Sequence, residues 1–397
     1  MSESGVEFGS RERVAQTSPL CPESLQRELG VADAGAPGPL VLITAGLHGN
    51  EPAGVHAARR VMAALEGETV SGRIVALAGN LRSLREGRRH GGRDLNRLWR
   101  SPDLEQVLAQ DPSLDGPDEA ELRELHGILE RERADARARG RQVVLLDLHS
   151  TSAGGGPFVV VPDVIPSRRL ARAVGLPVVL GLEQRIEGPL LTWLVARGDT
   201  GVVIEGGQHD DPGTVEVLAD ALRVALGFLR VLPAGAAEAR AAGARLDTIR
   251  GEAPRVLDMV HAHPVEPGDG FVMEPGWSNF RVVRAGQTLA LQGGEVVQAP
   301  IDGHMLMPLY QGLGTEGFFL CRPVGPAWLL VSRVARALGL ERALVLLPGV
   351  RGVSPRRGEV LQRADAPGWT RAWLTLFGYR SAAPAGADLR WTRRPPR

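Results

Sequence analysis

The chain has 397 residues, 43% of them hydrophobic and 23% charged, the composition of a globular protein long enough for one large or two ordinary domains. Lys+Arg and Asp+Glu each total 46, so the net charge is zero, which argues against nucleic-acid or membrane-surface binding driven by bulk charge. There is no lysine, which excludes a Walker or Schiff-base lysine, and the two cysteines, Cys21 and Cys321, flank no metal spacing and read as free thiols of a reducing compartment.

No run approaches the roughly 20 apolar residues of a membrane span, and the opening MSESGVEFGSRERV lacks an apolar core, so neither a transmembrane helix nor a signal peptide is expected. A cytoplasmic location follows as an expectation. Residues 1–38 end in GVADAGAPGP and read as an N-terminal extension of low periodicity. Residues 39–232 then alternate short apolar runs with amphipathic stretches, the pattern of an α/β domain. Strands are expected at 40–46, 72–80, 143–150, 157–163, 177–182 and 201–207, several apolar throughout, as in strands covered on both faces. Helices are expected at 52–66, 118–139, 166–174 and 214–231; the last spaces Val215, Leu218, Leu222, Ala225, Leu226 and Leu229 along one face. An Ala- and Gly-rich stretch, 233–254, reads as a linker. From 255 to 323, strand-like segments punctuated by Gly and Pro read as a small all-β domain, expected to lean over the cleft of the first. Residues 324–397 offer a helix over 327–340 and an Arg/Pro-rich tail, without a functional reading.

Four segments carry chemistry. The first is Gly46-Leu47-His48-Gly49-Asn50-Glu51-Pro52, at the end of the first apolar strand, where open sheets place their sites. Pro52 suits a first helical turn and biases Glu51 away from the helical region. His48 and Glu51 therefore sit on a loop where both can turn toward one point, a nitrogen and a carboxylate that suit Zn²⁺. The second is Asp147-Leu148-His149-Ser150-Thr151, where Asp147 and His149 share a side of the strand. His149 would complete a His₂Glu set with a position left for water, the pattern of catalytic zinc, with Asp147 a supporting carboxylate. The third, Val202 to Gly207, puts Glu205 at another strand end, a candidate general base. The fourth runs from Arg88 to Arg97; Asn96 and Arg97 suit a forked contact to a substrate carboxylate, and another arginine would stabilise an oxyanion. His56, His126, His261, His263 and His304 read as surface or satisfied histidines. His209 reads as a supporting group near Glu205.

Together GLHGNEPAG (46–54), RDLNR (93–97), DLHST (147–151) and VVIEGGQH (202–209) resemble the succinylglutamate desuccinylase/aspartoacylase family, a branch of the zinc carboxypeptidase-like fold. EPGWSNF (274–280), IDGHMLMPLY (301–310) and EGFFL (316–320) extend the resemblance into the β-rich part. It implies a mixed sheet flanked by helices, with a small all-β domain after it. It also implies one Zn²⁺ per chain on His48, Glu51 and His149, Glu205 as general base, and Asn96 and Arg97 on the substrate carboxylate. The carbonyl-polarising arginine lands on Arg89, with Arg88 and Arg93 as neighbours open to the same role. Substrate-selecting residues are narrowed only to Arg185, Trp193 and Arg197. The implied activity is zinc-dependent deacylation of a small N-acyl amino acid, with no nucleic-acid or membrane partner and homo-oligomerisation left open. The alternatives are a zinc carboxypeptidase on peptides or peptidoglycan fragments, and a metal-binding relative without turnover.

Overall fold

In the computed structural model residues 25–232, 237–266, 268–310, 314–354, 358–385 and 388–393 are described. In chain order the first part comprises β1 (Glu28–Asp33), β2 (Ala36–Ala45), α1 (Ala53–Ala64), β3 (Ser71–Ala78), α2 (Leu81–Glu86), α3 (Ser101–Ala109), α4 (Pro117–Ala138), β4 (Val143–Thr151) and β5 (Phe158–Val161). It continues with α5 (Ile165–Val174), β6 (Val178–Leu180), α6 (Leu190–Ala196), β7 (Thr200–Gln208), α7 (Gly213–Phe228) and α8 (Ala237–Arg250). The β-rich part holds β8 (Val256–Pro264), β9 (Val272–Met273), β10 (Val282–Val283), β11 (Thr288–Gln292), β12 (Glu295–Gln298), β13 (Gly303–Leu306) and β14 (Glu316–Pro323). Last come α9 (Pro326–Ala337), β15 (Val350–Ser354), β16 (Glu359–Arg363), α10 (Gly368–Leu376), β17 (Arg380–Ala385) and β18 (Asp388–Thr392).

The continuous apolar runs become the middle of an 11-stranded mixed sheet, ordered β1-β3-β2-β4-β7-β5-β6-β8-β14-β13-β10. Alternate residues of β2 feed different cores: Val41 and Ile43 pack with α1 and α7, while Leu40 and Leu42 pack with α4. Both faces are thus covered, which is why these strands lack polar alternation. On α7 the expected face forms, with Leu218, Leu222, Ala225 and Leu226 buried. Strands β2, β4 and β7 run parallel, so their C-terminal ends share one edge. In register, His149 lies beside Glu205, and Asp147 lies between Thr44 and Val203. β5 returns antiparallel to β7, pairing Phe158 with Glu205 and Val160 with Val203.

Three readings of the sequence need correction. Within the segment read as an extension, of which residues 1–24 lie outside the described residues, β1 pairs antiparallel with β3 at the sheet edge. It is short and mostly exposed, so it carries little apolar signal. The segment read as a linker contains α8, which packs on α7 through Ala242 and Leu246; alanine is the strongest helix former, and its abundance here marks a helix. In the β-rich part, β9, β11 and β12 form a separate small sheet, but β8 pairs with β6 and brings β14, β13 and β10 into the large one. His304 lies on β13 and contacts the Phe280 carbonyl. The last segment folds as a four-stranded antiparallel sheet, β15-β16-β18-β17, with α9 and α10 and its own apolar core. No helix among the described residues is long and apolar enough to cross a membrane.

Candidate metal centre and cleft

The loop after β2 brings His48 and Glu51 over the strand end, and β4 delivers His149 to the same point. Nδ1 of His48 lies 2.8 Å from Oε1 of Glu51, and Nδ1 of His149 lies 3.0 Å from Oε2. One donor atom from each of the three residues falls within 4.8 Å of the others, and all three side chains are buried. Each imidazole is held from behind by a carboxylate. His48 Nε2 lies 3.1 Å from Asp94 Oδ1, and His149 Nε2 lies 3.2 Å from Asp147 Oδ2. Asp147 is itself fixed by the Thr44 hydroxyl at 2.6 Å, and the backbone N–H of Ser150 donates to Glu51 at 3.0 Å. A carboxylate on one ring nitrogen orients the other for a cation, so both histidines present Nδ1 to the shared point. Two such nitrogens and a carboxylate form a donor set that fits Zn²⁺, and these three residues could hold a metal ion.

The electrostatics agree with a centre built for positive charge. Burial works against an ionised Glu51, yet His48 and His149 hold its carboxyl well below the usual carboxylate range. Burial likewise opposes charge on His149, but Asp147 and Glu51 raise its imidazole well above the ordinary value. Glu205 behaves in the opposite sense: burial pushes its carboxyl up to about 8, Glu51 and Asp147 adding to this against the pull of His149 and Arg89. Its Oε2 is buried without a hydrogen-bond partner among the described residues. An orphaned buried acceptor is costly and marks a place where a further group is received.

Among the three arginines open to the carbonyl-polarising role, only Arg89 reaches the centre. Its Nη2 lies 2.9 Å from Asp94 Oδ2 and 3.0 Å from His48 Nε2, and its Nη1 lies 3.8 Å from Glu51. Arg88 pairs with Glu86, while Arg93 turns outward to Glu119 at 3.0 Å and Asp103 at 3.4 Å. Gly49 makes this delivery possible. A Cβ there would stand 2.0 Å from the carbonyl carbon of Ser83 and 2.3 Å from the Arg88 oxygen, so only glycine lets the α2 loop pass this close. The Gly49 N–H donates to the Arg89 carbonyl at 3.1 Å.

His48, Glu51, Arg89, Asn96, Arg97, His149 and Glu205 all line one cleft, open to solvent at its mouth. Asn96 accepts from the Leu190 N–H at 3.0 Å, which leaves its amide N–H₂ as the part available to a ligand. The β-rich part contributes Met307, Leu309, Glu316 and Phe319 to the same cleft. Arg185, Trp193 and Arg197 do not line it: Trp193 is buried against Trp99 and Arg197 stacks on its ring, while Arg185 is exposed. His209 lines the cleft and contacts the Ser150 hydroxyl at 2.7 Å. Sequence reasoning passed over Asp94 as a supporting residue. Its one local signal is that it opens the short 3₁₀ turn Leu95–Arg97, accepting from the Asn96 N–H at 2.9 Å.

Residues 37–230 match the family model described as the succinylglutamate desuccinylase/aspartoacylase catalytic domain. Among solved structures the chain is similar to the product-bound ectoine utilization protein EutE (DoeB) from Ruegeria pomeroyi, at 19% identity and a TM-score of 0.53, covering 73% of this chain and 86% of that one. It is similar to a succinylglutamate desuccinylase/aspartoacylase from Rhodobacter sphaeroides at 18% identity and a TM-score of 0.53, covering 73% and 87%. A succinylglutamate desuccinylase from Chromobacterium violaceum aligns at 19% identity and a TM-score of 0.50, covering 73% and 86%. These likenesses establish a shared fold. No curated protein matches the sequence.

Proposed function

We propose that this chain, whose residues 37–230 match the succinylglutamate desuccinylase/aspartoacylase catalytic-domain model, is a cytoplasmic, zinc-dependent deacylase of that family that hydrolyses the amide bond of a small N-acyl amino acid. The observation that carries this reading is the convergence in one cleft of the His48, Glu51 and His149 donor atoms with the unpartnered carboxylate of Glu205. One ion per chain on the three donors would supply Lewis acidity toward the amide carbonyl and toward water.

The chain's own residues supply the remainder. Asp94 and Asp147 fix the two imidazoles so that Nδ1 stays turned to the cation. Glu205, beside His149 in register, takes the proton of the attacking water and returns it to the departing amine nitrogen. Its burial favours the protonated form it must pass through. Arg89 brings a guanidinium to the metal ligands, where negative charge grows on the carbonyl oxygen. Arg97 and the Asn96 amide hold the substrate carboxylate, fixing the scissile bond relative to Glu205.

The test is amine release from a panel of N-acyl amino acids by zinc-loaded protein, with Glu205→Gln as control. Release is expected from the wild type and should fall by about 10²–10⁴-fold in the variant, the usual share of a general base. Metal binding should be retained at one equivalent. Wild-type protein with metal in place that releases amine only from di- and tripeptides would instead make it a carboxypeptidase, and release from neither would sink the catalytic reading.

A further inference from the structure

The cleft extends beyond the three donor residues along a wall that is largely apolar. Its wall leaves the His48, Glu51 and His149 group at β7 and β5 through Val203 and Val160, passes Leu182 just after β6, and reaches Phe319 on β14. At roughly 4.8 Å per strand, the steps from β4 to β14 span on the order of 20 Å. Ile186 and Met307 complete this apolar stretch.

Charge is distributed unevenly along it. Among the described lining residues the guanidiniums are those of Arg89 and Arg97. Arg89 is committed to Asp94 beside the metal ligands, and Arg97 follows Asn96 in the turn assigned to the substrate carboxylate. The far part of the cleft instead presents the Glu316 carboxylate, beside Glu183, which is buried, accepts from Gln184 and lies in the field of Arg380 behind the wall. A substrate with one carboxylate finds its cation at Arg97. A second carboxylate, at the end of the acyl chain, would enter a largely apolar trough whose described lining offers it no guanidinium and includes the Glu316 carboxylate, a costly transfer from water.

We propose that the cleft selects amides whose acyl group is uncharged and apolar, and disfavours acyl groups that end in a carboxylate. The proposal rests on the deacylase reading for which bond is cut, but the binding preference it states is separable from turnover. Burying one methylene is worth about 0.8 kcal/mol, or about fourfold in affinity. The series N-acetyl-, N-butanoyl- and N-hexanoylglycine should therefore bind progressively tighter. N-succinylglycine, equal in chain length to the butanoyl compound, should bind at least about tenfold more weakly than it.

The experiment is calorimetric titration of these glycine amides into zinc-loaded Glu205→Gln protein, where the amide stays intact. Tightening along the apolar series with weak succinyl binding supports the proposal. Succinyl binding equal to or tighter than butanoyl overturns it, as does an affinity indifferent to chain length. Tighter binding of the 4-aminobutanoyl amide than of the butanoyl one also overturns it, handing the far end of the cleft to Glu183 and Glu316. Ile186→Arg, at a partly exposed position of the wall, is a second arm: the introduced cation should raise succinyl affinity about tenfold relative to butanoyl. Should Glu205→Gln fail to fold, the ratio of kcat/KM for butanoyl and succinyl amides on the wild type makes the same decision. Wild-type turnover reads the deacylase proposal separately: if no amide is cleaved, that reading fails while the titration still settles the acyl preference.

Discussion

Substituting Asp163→Asn should lower the unfolding free energy by about 3–5 kcal/mol, the cost of leaving buried cations uncompensated. Asp163 follows β5 and is the hub through which the last segment docks on the large sheet. Its carboxylate pairs with Arg168 of α5, with Arg336 of α9 at 3.1 Å and with Arg380 of β17 at 3.2 Å. Arg336 also donates to the Asp163 carbonyl at 2.8 Å, and Arg380 continues to Asp258 at 2.6 Å. The Asp163 side chain is 1% exposed and the side chains of Arg168, Arg336 and Arg380 are 8%, 11% and 10% exposed, so water cannot take over the lost charge. Asparagine preserves the volume, so no cavity term enters, but it leaves three guanidiniums with only Asp258 and the more weakly coupled Glu183 as acidic neighbours among the described residues. An exposed pair offers the contrast. Arg363 and Asp365, 48% and 67% exposed, are screened by water, and Arg363→Met should leave the unfolding midpoint unchanged within error. Urea unfolding followed by circular dichroism measures both variants against the wild type. A loss below about 1 kcal/mol in Asp163→Asn would refute the assignment of Asp163 as the docking hub.

The same cluster sets an acid dependence. Burial opposes charge on Asp163, but Arg336, Arg168 and Arg380 hold its carboxyl far below the ordinary range, so its stabilisation is complete above the unfolded value of about 3.9 and is lost as pH falls toward the folded one. Wild-type stability should therefore drop between about pH 4 and pH 2, with a shallower drop in Asp163→Asn, as acid titration of the unfolding free energy would reveal. Asp94→Asn and Asp147→Asn should each weaken zinc binding by about 10–100-fold, since each removes the carboxylate behind a histidine of the proposed ligand set. Competition with a chromophoric chelator measures this, and unchanged affinity in both would contradict the proposed ligand set. Gly49→Ala must displace the α2 loop, because the new Cβ meets backbone atoms of Ser83 and Arg88. Moving Arg89 by about 1 Å should cost on the order of 10² in kcat/KM; stopped assays on the folded variant check it, and wild-type rates would discount the role given to Arg89.

What was legible in the sequence, and what was not, divides by the range of the interactions involved. His48, Glu51, His149 and Glu205 each stand at the end of an apolar strand, and parallel neighbours bring such ends to one edge whatever the remainder of the chain does. Their convergence is thus nearly a local property, readable from runs such as VVLLDLHS. The choice among Arg88, Arg89 and Arg93 is not local. It is made by Glu86, Glu119 and Asp103, which draw the first and last outward and leave Arg89 to the cleft. The last segment shows the same limit more strongly: Arg380 meets Asp258 across 122 positions and Asp163 across 217, and nothing near it in sequence announces either partner. Arg380 also lies against Gly181, where a Cβ would stand 2.9 Å from its Nε, directly before Leu182 and Glu183 of the cleft wall. The wall itself comes from β7, β5, the end of β6, and β14, neighbours only through a strand order that departs from chain order. Arg185, Trp193 and Arg197 lie between His149 and Glu205 in the chain, yet none of them lines the cleft. The wall that we propose selects the acyl group is set by the sheet's topology, in residues that the chain order keeps far apart.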